Sequence, residues 1–150
     1  MSTRGFACKD GDAAGNVVLV PEHGTPGSFE RGDLVKIDTN GKVQIVSSDQ
    51  NIYGIALKKY TGTEGTDIPV EVIDTSKIYV AEADAATATT QIGGNFGLNI
   101  GTAGSMSVDV GDTTTTSVSV VALDPRDATT TTGGRLLLRF EADVLDTNTP

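Results

Sequence analysis

The chain has 150 residues, 20 acidic against 11 basic, and a formal net charge of -9. That length gives about one domain with a single sizeable core. The charge excludes easy approach to nucleic acid or anionic membrane, and leaves solubility or docking on a basic surface.

Aromatic residues are 5% and Trp is absent, so Val, Ile, Leu and Ala must build the core. The one cysteine, Cys8, has no partner for an intramolecular disulfide, which fits a reducing compartment or a particle assembled inside a cell. No apolar run approaches membrane-spanning length, and Met1-Ser2-Thr3-Arg4-Gly5 lacks the apolar region of a signal peptide.

Residues 1–28 are polar and Gly-rich, with Pro21 and Pro26 near the end. They read as a loosely held arm with one added strand, Asn16 to Val20; the functional alternative is an arm that orders against a partner. Gly32 to Val46 reads as a β-hairpin whose register burial decides. A two-residue Asn40-Gly41 turn would set Ile37 against Gln44 and mix polar with apolar on each face. A three-residue Thr39-Asn40-Gly41 loop sets Ile37 against Val43 and Val35 against Ile45, with Asp38 opposite Lys42 and Lys36 opposite Gln44. One face is then apolar and the other charged, so the second register is expected. It requires Gly41 in a left-handed conformation.

Ile52 to Tyr60 is the next strand, weakly alternating, with Gly54 marking a bulge or a close backbone approach. A turn-rich loop, Thr61 to Thr66, leads to a strand over Ile68 to Ile73 with Pro69 near its start. Asp74 to Lys77 is a turn before a strand at Ile78 to Ala81. Ala81 to Thr90 mixes alanines with threonines and reads as loop with one helical turn. Gln91 to Asn95 is a turn. Phe96 to Ile100, Met106 to Val110, Val118 to Leu123 and Arg135 to Phe140 are strands, the last with Leu136, Leu138 and Phe140 on one side. Asp124-Pro125-Arg126-Asp127 is a type I turn. The Thr113 to Thr116 and Thr129 to Thr132 clusters are solvated loops. The polar tail after Glu141 is expected to fray.

Short strands joined by short turns indicate an antiparallel meander. The fold class expected is all-β: a compact antiparallel β-barrel or sandwich (β-tulip-like) with an extended N-terminal arm. The arm spans 1–28, a single β domain 29–145, and a flexible tail 146–150.

Catalytic chemistry has little to draw on. His23 is the sole histidine, so no His/Cys metal site assembles within one chain. A Cys8–His23 dyad, or a Ser-His-Asp triad through His23, would sit in the arm, away from a rigid scaffold. Asp10-Gly11-Asp12 opens like a calcium loop, but the later ligands are missing. Gly93-Gly94-Asn95-Phe96-Gly97 is Gly-rich without the Lys-Ser/Thr pair of a phosphate loop, and reads as a turn before a strand. Asp33 and Asp38 bracket a strand but point to opposite faces by parity. Lys58-Lys59 reads as a solvated strand end. No catalytic, cofactor or metal residue is therefore assigned, and no enzyme activity is expected.

One order of short motifs stands out: Gly32-Asp33-Leu34-Val35, Gly41-Lys42-Val43, Tyr53-Gly54-Ile55-Ala56, then Ile68-Pro69-Val70-Glu71-Val72-Ile73 and Tyr79-Val80-Ala81. Ile92-Gly93, Val120 to Asp127 and Arg135 to Phe140 complete it. From Gly32 to Phe140 this order resembles the decoration, or cement, proteins of tailed-bacteriophage capsids. The resemblance implies a compact β domain, often trimeric, that sits on the outer surface of an assembled phage head and stabilises it. It implies the major capsid protein as partner, a homotrimer, no nucleic acid and no membrane. It also implies synthesis in the bacterial host cytoplasm, a final place on the virion, and an N-terminal arm that helps in capsid contact. The alternative is another phage structural or adhesive β module, a fibre or glycan-binding piece. The poverty of aromatics counts against sugar binding.

Overall fold

The computed structural model describes residues 5–8, 17–24, 28–48, 51–100, 102–127 and 133–145. Asp10-Gly11-Asp12, the Thr129 to Thr132 cluster and the 146–150 tail lie outside the described residues. Eleven strands are found there: β1 (Ala7–Cys8), β2 (Val17–Pro21), β3 (Leu34–Ile37), β4 (Val43–Ile45), β5 (Gly54–Ala56), β6 (Asp67–Val72), β7 (Tyr79–Glu82), β8 (Asn95–Asn99), β9 (Ser107–Asp109), β10 (Val118–Leu123) and β11 (Arg135–Phe140). Among the described residues the only helical pieces are 3-10 turns at Thr89–Gln91 and Ala142–Val144. The Ala-rich stretch is thus strand to Glu82, then loop, then one such turn.

The strands form two antiparallel sheets packed as a sandwich. One has the order β1-β7-β11-β10-β8-β9 and the other β2-β6-β5-β3-β4. The choice between barrel and sandwich is settled as sandwich. The edges β2 and β4 of the five-stranded sheet meet only at an isolated bridge, Glu22 to Val43, where the His23 N–H donates to the Val43 carbonyl at 3.1 Å.

The β3–β4 hairpin has the register burial selects. Val35 pairs with Ile45, Lys36 with Gln44 and Ile37 with Val43. The Asp38 N–H donates to the Lys42 carbonyl at 2.8 Å, and Gly41 has a φ of 76°. The clean division into an apolar and a charged face fails one residue earlier. Leu34 and Val35 are both fully buried, on opposite faces. Leu34 joins Ile55, Tyr79, Val118, Leu136, Leu138 and Phe140 in the main core between the sheets. Val35, Ile37, Val43, Ala56, Ile68, Val70, Val20 and Phe29 form a second core on the other side of the five-stranded sheet. That sheet is apolar on both faces, so its strands lose their alternation.

Gly54 is fully inside this sheet. A β-carbon there would fall 2.6 Å from Val70 Cγ1 and closer still to the Glu71 carbonyl oxygen. Pro69 lies in the interior strand β6. Its carbonyl accepts from the Leu57 N–H at 2.9 Å, one residue past the end of β5, so its missing donor breaks no ladder bond.

In the six-stranded sheet, Leu136, Leu138 and Phe140 point into the core and Arg139 is exposed. Tyr79 and Phe140 meet edge to face, ring centroids 5.3 Å apart. Burial pushes the Tyr79 hydroxyl up to about 12. The ends of the chain are more involved than expected. Phe6 is 2% exposed and stacks against Phe140, centroids 5.6 Å apart. The predicted strand of the arm is β2, paired with β6 over its whole length. Past Glu141, where fraying was expected, Val144 is buried and Leu145 bridges to Ile52. These apolar side chains cover the open ends of the main core, which outweighs the polarity of their neighbours.

The two glycines make a test. Gly41→Ala meets open space, so only its backbone conformation costs, about 1 kcal/mol. Gly54→Ala must push backbone aside and should cost about 3 kcal/mol. Equal losses of stability in urea unfolding would contradict this placement.

Candidate functional site

The structure gathers its polar chemistry where β2 ends, against the β3–β4 turn. Glu22 is wholly buried, yet its carboxylate is fully used. It accepts from the Thr61 N–H at 3.0 Å, the Gly62 N–H at 2.7 Å and the Thr61 hydroxyl. The 61–66 loop has no helix or ladder to satisfy its donors, and this buried acid does it instead. Next to it His23 bonds Asp38 through Nδ1. Asp38 also accepts from the Asn40 N–H at 2.8 Å and the Lys42 N–H at 3.0 Å. Burial works to raise the Asp38 carboxyl, but the Lys42 N–H, the His23 ring and the Asn40 N–H hold it below the usual range. Lys42 in turn pairs with Glu64, whose carboxyl it lowers. The cluster fastens three loops, with His23 held through Nδ1 against Asp38.

The residues that sequence considered for catalysis are scattered. Cys8 lies on β1 opposite Tyr79 in the six-stranded sheet, while His23 follows β2 in the other sheet and is held by Asp38. No Cys8–His23 dyad forms. Asp33 is buried at the far end of β3 from Asp38 and accepts from the Glu30 N–H at 2.8 Å and the Gly104 N–H at 2.9 Å. Desolvation raises its carboxyl despite those bonds. In the Gly93–Gly97 segment, the Gly93 N–H donates to the Val120 carbonyl and the Gly94 N–H to that of Gln91. Those donors are spent within the protein, which removes them from any phosphate. Lys58 and Lys59 are exposed, with Lys59 3.7 Å from Glu30. Among the described residues no three or more His, Cys, Asp and Glu side chains are placed to hold a metal ion. No helix of the described residues is long and apolar enough to cross a membrane.

A second polar network closes the β10–β11 connection. Asp124 accepts from the Arg126 backbone N–H and guanidinium, and Asp127 takes two bonds from the Arg135 guanidinium at 2.8 and 2.9 Å. The Arg126 side chain holds the Asp124 carboxyl down at about 2.

One exposed surface of the five-stranded sheet is apolar. Val17, Val18 and Leu19 on β2 are 39%, 38% and 65% exposed. Beside them a groove of about 330 Å³ is lined by Val18, Leu19, Val20, Pro21, Gly41, Tyr53 and Val72. It is the open end of the second core. One strand inward, opposite Val17, lies Glu71, 4% exposed, with its Oε2 unbonded. Sequence reasoning placed a strand here, in the arm expected to meet a partner, but not its position outermost in the sheet beside β6. Its signal was the unbroken apolar run Val17 to Val20 beside a polar arm.

No protein-family model matches the chain, no curated protein matches it, and no solved structure matches its fold.

Burial raises the Glu71 carboxyl, with Lys77 working against it. The folded state therefore holds this proton more tightly than the unfolded chain. Its stabilisation is complete below the unfolded value of about 4.3 and is lost as pH rises through the raised folded value. Glu71→Gln should flatten that part of the stability profile and stabilise the protein at neutral pH. Urea midpoints measured across pH 4 to 8 check this. A variant weaker than the parent at pH 7 would show that the charged form is favoured there.

Proposed function

We infer that the chain is a non-enzymatic decoration protein, which binds the outer surface of an assembled phage head and stabilises it. The observation that carries this reading is the exposed apolar edge of β2 and its groove, on an acidic all-β body. A side-chain cluster fit for catalysis would have favoured an enzyme. The buried acids Glu22, Asp33 and Asp124 are instead bonded to loop donors and cations, which is the work of a rigid module. The order of motifs from Gly32 to Phe140, resembling the cement proteins of tailed phages, supplies the class of partner. In this reading the partner is the major capsid protein, three copies associate around a head lattice point, and the protein ends on the virion surface. Three linked contacts would raise one another's effective concentration, so each need only be modest.

The second reading, a fibre or glycan-binding module, keeps the same apolar edge but needs a sugar platform. Phe29 is buried and Tyr60 packs on it edge to face, so these rings serve the second core, and Tyr53 is the one aromatic ring in the lining of the groove.

Co-sedimentation with expanded heads of the encoding phage tests the proposal. Saturable binding, with a raised temperature of head disruption, is expected. Leu19→Lys should weaken it while leaving the circular dichroism spectrum unchanged. No binding to heads, together with a specific signal on a glycan array, would give the second reading.

A further inference from the structure

The exposed edge of β2 has a hydrogen-bonding register that can be read. The Glu22 N–H donates to the Thr66 carbonyl at 2.8 Å, in register with the β2–β6 pairs. By the two-residue period, the backbone groups of Val20 and Val18 also face β6. Those of Val17 and Leu19 face the open side. Pro69, opposite Leu19, agrees: its carbonyl faces Leu57, away from β2.

The other sheet edges are protected. β1 has two residues, β4 three with Lys42 before it, and β9 carries Asp109. β2 has no charge from Val17 to Pro21, and Pro21 blunts only its end. Three of the four large apolar side chains exposed among the described residues are its Val17, Val18 and Leu19. Among the described residues nothing in this edge guards against an added strand.

We propose that β2 pairs antiparallel with β2 of a second copy of this chain, about a two-fold axis through Val18. The occupant follows from self-complementarity. Centring on Val18 sets Val17 opposite Leu19 of the second copy and Leu19 opposite its Val17. These are the two residues with outward donors and acceptors, so each pair exchanges both hydrogen bonds. Val18 then faces its own copy, on the side of the groove by Tyr53 and Val72. Net charge works against such a pair and limits where it can form. Two chains of net charge -9 repel, and can meet only where no acid opposes an acid; this joint opposes Val, Leu and Val. Glu71 lies one strand inward and faces Val17, not its own copy. Three residues per chain bury less than the ~800 Å² per partner of a standard interface, so the pair is reversible and concentration-dependent. The contact is two-fold and uses the edge that the proposed function gives to the head, so the two exclude each other: the Val18 cross-link reports on the pair alone, and head binding by the uncrosslinked chain reports on the other reading.

Cysteine cross-linking of the full chain, in a Cys8→Ser background, tests this. Val18 sits in a non-hydrogen-bonded pair, where facing Cα atoms are about 4.5 Å apart, within disulfide reach. Under mild oxidation Val18→Cys should become mostly covalent dimer. Leu19→Cys alone should stay monomeric, since its copies are displaced by two residues along the strand, but should cross-link when mixed with Val17→Cys chains. Sedimentation of the parent protein should show a dimer growing with concentration, and Leu19→Lys should raise its dissociation constant at least tenfold. Val18→Cys that remains monomeric while folded would overturn the proposal. So would Leu19→Cys that cross-links alone as readily as Val18→Cys, which would mark random collision of an exposed thiol. A trimer without the Val18 cross-link would also overturn it, in favour of a contact between unlike edges.

Discussion

The constraint on which this structure turns is that one thin sheet is buried on both faces. In β3, Leu34 enters the core between the sheets and Val35, its neighbour, enters the second core. In β5 the same division falls on Ile55 and Ala56. A strand used this way cannot carry an alternating pattern, and it cannot tolerate bulk where strands cross closely. Gly54 follows from that, with Val70 and the Glu71 backbone against it. The second core also needs a cover that is not a sheet. Phe29 and Tyr60 provide it, rings 5.5 Å apart, with the Tyr60 N–H donating to the Phe29 carbonyl.

Two cores in 150 residues leave much chain in loops, and loops bring unpaired backbone donors. An acidic sequence solves this with carboxylates. Glu22 gathers the 61–62 amides, Asp33 those of Glu30 and Gly104, and Asp112 those of Thr114 and Thr115. Their electrostatic states differ for a physical reason. Asp124 has arginine beside it and is held at about 2. Asp33 has only amides against its burial, and Glu30 adds a like charge, so its carboxyl rises. The excess of acid in the composition is therefore partly structural, and is not all a solvating surface.

The local geometry of this fold was legible in the sequence. Gly41, the Thr39 to Gly41 loop and the facing pairs of the β3–β4 hairpin follow from matching apolar residues across a turn. So do the Asp124 to Asp127 turn, whose Asp127 N–H returns to the Asp124 carbonyl at 3.1 Å, and the inward set Leu136, Leu138 and Phe140. Long-range burial was not legible. Phe6, in a Gly-rich polar segment, and Val144, in a polar tail, have no periodic neighbours to mark them as core. Glu22 looks like a solvated strand end until the 61–62 loop closes over it. The β2 edge was half legible: the strand was visible, but its position outermost in the sheet depends on pairing with β6, 50 residues away.

The two-core architecture explains part of the apolar character of β2. Val20 closes the second core and is 3% exposed; Val18 stands at the mouth of the same core. It does not explain Leu19. That side chain lies over Pro69 on the opposite face and is 65% exposed, so it contributes little to burial. A lysine there would cost the fold almost nothing and would guard the edge, as charged residues guard edges elsewhere. A leucine in that place keeps the edge open to a strand. In the proposed pairing that side chain gains its burial from Val17 of the second copy, which is burial the folded chain alone does not give it.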